Sequence, residues 1–211
     1  KTGIDLPSEA KSIFHEREAL GVTELATASF GQRFKISIIQ QITAVACAAN
    51  GGKLVTPYLV EKVIDQNGQI VSQHETQVKR QVISEETSRL VAQCLEGGVS
   101  GDGGAKNAYV AGYKVAAKTG TSQKFDILDE NGNSYLRVGS CVAFAPSDKP
   151  EIAVIIVVDE PQNGKYGSMV AAPYISGFLS KALSAIHLFG SLLRGYFHKP
   201  FMKTYTTRLL S

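Results

Sequence analysis

Apolar and polar positions divide the chain into blocks of different period. Residues 34–49 place Phe34, Ile38, Ile39, Ile42, Val45, Ala46 and Ala49 at helical spacing, the recurrence that gathers side chains on one helix face. Asn50-Gly51-Gly52 follows and predicts the helix stop, since glycine takes a left-handed cap without steric cost. Residues 54–65 and 69–77 flank Asn67-Gly68. That dipeptide predicts a hairpin closed by a type I′ turn, with strands polar enough to form a peripheral arm. Ser84 predicts the cap of a helix over 85–96, with Glu85 and Glu86 at the positive end of its dipole. Residues 97–104 hold five glycines and read as a flexible loop, and residues 1–33, punctuated by Gly3, Pro7, Gly21 and Gly31, also read as loop.

Three strands follow, over 109–124, 137–145 and 151–159. The last two are joined by Pro146-Ser147-Asp148-Lys149-Pro150, a tight turn that makes them antiparallel neighbours. Residues 152–158 are apolar at successive positions, so both faces of that strand need cover. A helix over 169–186, with Pro173 tolerated in its first turn, packs Ile175, Phe178, Leu179, Leu183 and Ile186 inward and covers one face. The helix beginning near Phe34, or sequence outside the chain, must cover the other. The pattern is α+β, an antiparallel sheet flanked by helices.

Composition narrows the class. With 211 residues, 44% hydrophobic and 19% charged, the chain is globular rather than disordered. No uncharged apolar run approaches the ~18 residues of a membrane span. The formal charge of +3 misleads, because residues 187–211 carry Arg194, Lys199, Lys203 and Arg208 and no acid; the rest holds 18 basic and 19 acidic side chains. A nucleic-acid footprint is not expected on so neutral a body. Cys47, Cys94 and Cys141 are odd in number, far apart and set among apolar neighbours, which predicts buried free thiols rather than disulfides or a zinc site. The four histidines form no local metal-ligand pair, and neither metal nor cofactor is expected. The chain begins at Lys1 without a signal-peptide pattern, so a processed or partial chain is expected.

The chemistry concentrates in Val115-Ala116-Ala117-Lys118-Thr119-Gly120-Thr121-Ser122. On a strand, Lys118 offers a compact positive charge, Thr119 and Thr121 project to one side, Gly120 leaves room beside the backbone, and the Thr121 amide can donate to an oxyanion. Lys118 and Thr121 are therefore the candidate catalytic residues, and Thr119, Gly120 and Thr121 the candidate substrate-binding ones. Two other matches read as decoys. Lys1-Thr2-Gly3 is followed by Ile-Asp-Leu-Pro, which is loop chemistry. Ser8-Glu9-Ala10-Lys11 supplies a Ser-x-x-Lys but follows Leu6-Pro7, with no apolar helix to bury and orient the pair. The Gly97–Gly104 run lacks the Gly-Lys-Ser/Thr of a phosphate loop. Asp126, Asp129 and Glu130 lack the spacing of a calcium loop. Asp159-Glu160 before Pro161 reads as a structural strand end.

Several stretches, taken in order, resemble the C-terminal half of the transpeptidase domain of class B penicillin-binding proteins of the division or sporulation type. They are Thr2-Gly-Ile-Asp-Leu-Pro7, Ala28-Ser-Phe-Gly-Gln32, Ala49-Asn-Gly-Gly52 with Pro57-Tyr58, residues 110–124, Phe144-Ala-Pro146, Asp159-Glu-Pro161, and Tyr166-Gly167 with Val170-Ala-Ala-Pro173. The resemblance covers residues 1–186 and leaves 187–211 as a basic tail, read as a non-native extension, such as a shifted reading frame or an assembly join, rather than as an amphipathic membrane- or partner-binding segment. It implies a partial penicillin-binding-protein or β-lactamase-like fold and a D,D-transpeptidase that cross-links peptidoglycan stem peptides ending in D-Ala-D-Ala. Catalysis would run through a serine ester, with β-lactams as mimics of the donor. It also implies a membrane-anchored parent on the outer face of the bacterial cell membrane, working with other cell-wall synthesis proteins.

In such a family the nucleophilic Ser-x-x-Lys and the Ser-x-Asn precede Lys118-Thr119-Gly120-Thr121, and neither is expected within these residues, so the isolated chain is expected to be inactive. By resemblance, Lys118 would sit beside the serine of the Ser-x-Asn and assist proton transfer. Thr119 and Thr121 would hold the terminal carboxylate of the donor, and the Thr121 amide would form half of the oxyanion hole. The alternatives are a non-catalytic penicillin-recognising sensor or scaffold and, less well matched, a β-lactamase. Two positions depart from the family pattern. Ala117 stands where glycine is common and is expected to narrow the cleft slightly. Ile36-Ser37-Ile38 replaces a Val-Thr-Pro helix start and is expected to shift the first turn. Removal of helices that precede Lys1 in the family is expected to leave the apolar strand over 152–158 exposed.

Overall fold

The computed structural model describes residues 1–14, 17–32, 34–124, 127–193 and 203–208. In chain order they form α1 (Val22–Ala28), α2 (Ile38–Ala49), β1 (Lys53–Val55), β2 (Lys62–Ile64), β3 (Ile70–Gln73), β4 (Val78–Gln81), α3 (Glu85–Ser100), β5 (Ala116–Gln123), β6 (Arg137–Ala145), β7 (Ile152–Asp159), α4 (Gly167–Val170), α5 (Ala172–Leu193) and β8 (Lys203–Arg208). The main sheet has the order β5-β6-β7-β8, antiparallel except for the β7–β8 pair.

The continuous apolar run of β7 is satisfied on both faces. Ile152, Val154 and Ile156 turn to the side of α5, where Ile175, Leu179 and Leu183 are buried with them and Phe178 and Ile186 pack at the margin. Ala153 and Ile155 turn to the other side, against Ile42 of α2 and Ala92 of α3. Burying each such large aliphatic side chain is worth about 1.5–3 kcal/mol, so this central strand anchors both layers. Cover from α5 and α2 leaves Ile152 and Ile155, respectively, only 1% exposed, contrary to the expectation of a bare strand. Exposed large apolar side chains lie instead in the N-terminal segment, among them Ile13, Phe14, Val22, Leu25 and Phe30, and along the peripheral arm, among them Val63, Ile64, Ile70 and Val71. Residues 167–187 are long and apolar enough to cross a membrane by length and composition alone, but their apolar stripe is spent on the sheet.

Helices α2 and α3 both begin at a serine cap, of which only Ser84 was expected. Ser37 caps α2: its hydroxyl accepts from the Gln40 N–H, and the Gln40 side chain accepts from the Ser37 N–H. This reciprocal box replaces the absent proline start and places the first turn at Ile38 rather than Phe34. Ser84 caps α3 through the Thr87 N–H. That helix runs four residues beyond expectation, through Gly97 and Gly98 to Ser100. Two glycines cost a helix about 2 kcal/mol in all, and burial of Val99 at 3% exposure among Ala105, Ala108 and Val110 offsets it.

Other local expectations need correction. Residues 22–28 are helical, not loop, between the expected breakpoints Gly21 and Gly31. The first strand of the sheet begins at Ala116 rather than residue 109, because residues 110–113 form a turn in which Tyr113 N–H donates to Val110 C=O. The arm does form, as the β2–β3 ladder continued by β1–β4. Its turn is not type I′: only Gly68 has positive φ (+79°) and its N–H donates to Asp65 C=O, a type I turn with a glycine bulge. The Asp65 carboxylate accepts from the Asn67 and Gln69 N–H groups, which stabilises that choice.

Helix α5 spans the boundary expected at residue 186, continuing to Leu193, and residues 203–208 of the basic tail pair with β7. The remainder of that tail lies outside the described residues.

Candidate active site

Strand β5 carries Lys118-Thr119-Gly120-Thr121 on the outer edge of the main sheet. The hydrogen-bond phase shows which backbone groups are free. Lys124 N–H donates to Leu136 C=O, and Glu160 N–H donates to Arg137 C=O. Antiparallel neighbours alternate between bonding pairs and non-bonding ones. With the register Lys118↔Val142 and Gly120↔Ser140, the even-numbered residues of β5 bond to β6. Thr119, Thr121 and Gln123 therefore turn their N–H and C=O groups to the open edge. That is the disposition an added peptide strand needs.

Lys118 is exposed, and its ammonium donates to the Thr119 carbonyl at 2.8 Å. No carboxylate pairs with it among the described residues, so its charge stays available at the edge. Thr121 is half-buried, and its Oγ1 accepts from the Gly167 N–H at 3.0 Å. Because the hydroxyl is used there as an acceptor, its own proton is free to donate outward.

That contact needs a glycine. A Cβ on Gly167 would lie 2.2 Å from the Ser140 carbonyl oxygen and 2.3 Å from that of Gly120. The start of α4 thus lies flat on two peptide units of the sheet. Gly139 permits the same approach, since a Cβ there would meet Val170 at 2.4 Å. The room at Gly120 is used by the chain itself: Ser140 Oγ stands 2.8 Å from where a Cβ would be.

Beyond Thr121 a cleft of about 470 Å³ opens. Thr121, Gln123 and Arg137 line it from the sheet, Lys165 and Tyr166 from the segment before α4, and Phe30 and Gln32 from the segment after α1. Lys124 closes this end of the sheet, with ion pairs to Asp159 at 2.7 Å and Glu160 at 2.6 Å. The hydrogen bonds to Asp159 and then Glu160 hold its ammonium above the ordinary lysine range. The acidic pair therefore serves as a strand-end clamp.

Behind the site, Cys141 faces Thr119 across the ladder, and burial pushes its thiol up to about 12. Cys47 is likewise buried, but Cys94 is exposed on α3, contrary to the expectation of three buried thiols. Its neighbours along the sequence are apolar, yet its position on the helix surface faces water.

Structure thus brings Lys118, Thr119, Gly120 and Thr121 together on one open edge. Ser8 and Lys11 lie on an exposed, non-helical segment, without the burial a nucleophile pair needs. Thr2 is buried, and its N–H donates to the Glu9 carboxylate, so the first Lys-Thr-Gly copy is an N-terminal anchor. The Ala117 methyl is buried among the α5-side core at 3% exposure, so it packs the interior and does not narrow the cleft. Asp129 accepts from the Asn131 and Asn133 N–H groups of its own turn; Asp126 lies outside the described residues. Sequence reading missed the roles of Gly139 and Gly167. The signal was present in the Tyr166-Gly167 pair, but only the fold shows which backbone it touches.

The class is an α+β domain: an antiparallel sheet with helices packed on both faces and a lysine–threonine–glycine–threonine run on its free edge. The family described as the penicillin binding protein transpeptidase domain matches residues 1–180, and the chain belongs to it. It is 40% identical over 185 residues to stage V sporulation protein D of Bacillus subtilis, covering 87% of this chain and 28% of that protein. It is 30% identical over 174 residues to the peptidoglycan D,D-transpeptidase FtsI homolog of Mesostigma viride, covering 76% and 29%. The solved transpeptidase domain of Burkholderia pseudomallei penicillin-binding protein 3 superposes with a TM-score of 0.65 at 26% identity, covering 95% of this chain and 54% of that one. The chain therefore spans less than a third of these two curated relatives.

Proposed function

We propose that this chain supplies the Lys-Thr-Gly-Thr edge of a peptidoglycan D,D-transpeptidase whose serine nucleophile and Ser-x-Asn lie outside residues 1–211. The observation that carries this reading is the free edge of β5, where the Thr121 N–H and the Thr121 hydroxyl proton are unspent and the Lys118 ammonium, bonded to the Thr119 carbonyl, pairs with no carboxylate among the described residues. A donor ending in D-Ala-D-Ala adds along that edge. Lys118, Thr119 and Thr121 hold its terminal carboxylate through charge-assisted hydrogen bonds. The serine oxygen attacks the penultimate D-Ala carbonyl, and the Thr121 amide shares the developing oxyanion with the nucleophile's own N–H. The C–N bond breaks, the leaving amine takes a proton, and D-Ala departs. An acceptor amine then attacks the ester, the C–O bond breaks, and the serine recovers its proton as the cross-link forms. Lys118 assists those proton transfers through the serine beside it.

A β-lactam enters in place of the donor and stalls at the ester. The parent protein is membrane-anchored, with this domain on the outer face of the bacterial membrane among other cell-wall synthesis proteins.

The test is acylation by a fluorescent penicillin. The full-length protein is expected to label covalently and its Lys118→Gln variant to label at least 100-fold more slowly, in line with the ~10²–10⁴-fold worth of a positioned proton-transfer group. Isolated 1–211 is expected not to label. Labelling of isolated 1–211, or an unchanged rate in Lys118→Gln, refutes the proposal; a full-length protein that never labels leaves a non-catalytic scaffold as the better reading.

A further inference from the structure

The binding face of β5 does not end at Thr121. Thr119, Thr121 and Gln123 project to the same side of the strand, and Arg137 stands directly across from Gln123 on β6. Gly139, opposite Thr121, adds no side chain to the row. Over one two-residue step of about 7 Å, the row passes from two hydroxyls to an amide and a guanidinium.

The cleft at this end is cationic. Arg137 and Lys165 line it, and among the described residues no carboxylate does. Glu160 lines an adjoining cleft that shares Arg137 and Lys165, but its carboxylate and that of Asp159 are engaged by Lys124. Arg137 donates from Nη1 to the carbonyls of Ser134 and Leu136 at 2.7 and 3.0 Å. Those bonds set the plane of the guanidinium, and its Nη2 and Nε hydrogens have no partner among the described residues. A guanidinium held in place with free donors is suited to a carboxylate.

The direction of an added peptide follows from burial. At the start of β5, Ala116 and Ala117 are 0% and 3% exposed, so no chain can leave the clamp that way. A peptide held by its terminal carboxylate at Lys118–Thr121 must run toward Gln123 and into the cationic cleft.

Resting on the reading of β5 as the donor-binding edge, the geometry points to a second anion subsite. Arg137 and Lys165 bind a carboxylate on the peptide residue that precedes the two held at the clamp. This domain therefore selects donors that are acidic at that position over their amides.

Two donor peptides that differ only in Glu or Gln at the residue before D-Ala-D-Ala provide the test. Their acylation rates on the full-length protein are measured by competition with fluorescent penicillin. The acidic donor is expected to react about tenfold faster, the worth of one charge-assisted hydrogen bond near water, with the preference shrinking in high salt. Arg137→Gln is expected to bring the ratio close to one, Arg137→Lys to keep part of it, and Lys165→Glu to favour the amide. Lys165 is exposed, so its charge reversal stands as the test if Arg137→Gln does not fold. Lys149→Gln, in the distant 146–150 turn, is expected to leave the ratio unchanged. A wild-type ratio near one, or a ratio that neither Arg137→Gln nor Lys165→Glu moves, overturns the subsite while penicillin labelling continues. Loss of penicillin labelling in the wild type overturns the underlying reading instead.

Discussion

Replacing Gly167 by alanine tests the joint that positions Thr121. The new Cβ would sit 2.2 Å from the Ser140 carbonyl oxygen and 2.3 Å from the Gly120 carbonyl oxygen, where ordinary contact begins at 3.4 Å. Both obstacles are backbone in the middle of a ladder and cannot swing aside, so α4 must lift by roughly 1 Å. Overpacking of this kind costs about 1–3 kcal/mol. Lifting also stretches the 3.0 Å bond from the Gly167 N–H to Thr121 Oγ1, a further loss of about 0.5–1.5 kcal/mol. The sum, about 1.5–4.5 kcal/mol, corresponds to a fall of roughly 3–18 °C in melting temperature for a domain of this size. Thermal unfolding of 1–211 followed by circular dichroism reads it directly. Thr121→Val removes the hydroxyl without adding a clash and is expected to cost less than Gly167→Ala, while Thr121→Ser should melt close to wild type. A Gly167→Ala chain that melts within a degree of wild type would refute the close-approach argument.

Three further outcomes are expected. The Asp5 carboxylate accepts from the Leu59 and Val60 N–H groups, and those bonds, Val60 foremost, hold its pKa below the ordinary aspartate value. A depressed carboxylate stabilises above its unfolded pKa of about 3.9 and loses that contribution as pH falls through the folded value. Amide exchange across residues 56–62 should therefore accelerate below about pH 4, and Asp5→Asn should flatten the change. In a thiol titration with a disulfide reagent, Cys94 is expected to react at once and Cys47 and Cys141 only on unfolding; a rapid second thiol would contradict the described burial. Val22 and Leu25 are 88% and 65% exposed, so Val22→Glu with Leu25→Glu should raise the monomer fraction of 1–211 in sedimentation, with no fall in melting temperature.

What could be read from the chain alone was whatever depends on near neighbours. The successive apolar run of β7 required cover on both sides, and α2 and α5 provide it. Ser84 caps its helix as its sequence position indicated, because the cap is chemistry within three residues; the same chemistry at Ser37 was not read. The turn at Asn67-Gly68 was misread within the same range, since Asp65 offers its carboxylate to two following amides and tips the balance to a type I turn. The glycines at 97 and 98 were misread for the opposite reason: their local cost is outweighed by Val99, whose burial partners are set by the fold.

The candidate site divides along the same line. The residue types of Lys118, Thr119, Gly120 and Thr121 and their alternation on a strand were determined by sequence, because side-chain direction has a period of two. Which edge of that strand is open, and that Gly167 leaves the Thr121 proton unspent, were decided by tertiary packing. So was the meeting of Gln123 with Arg137 and Lys165, 14 and 42 positions further along the chain. Such juxtapositions arise from strand order and helix docking, which place distant residues side by side, and no local period encodes them.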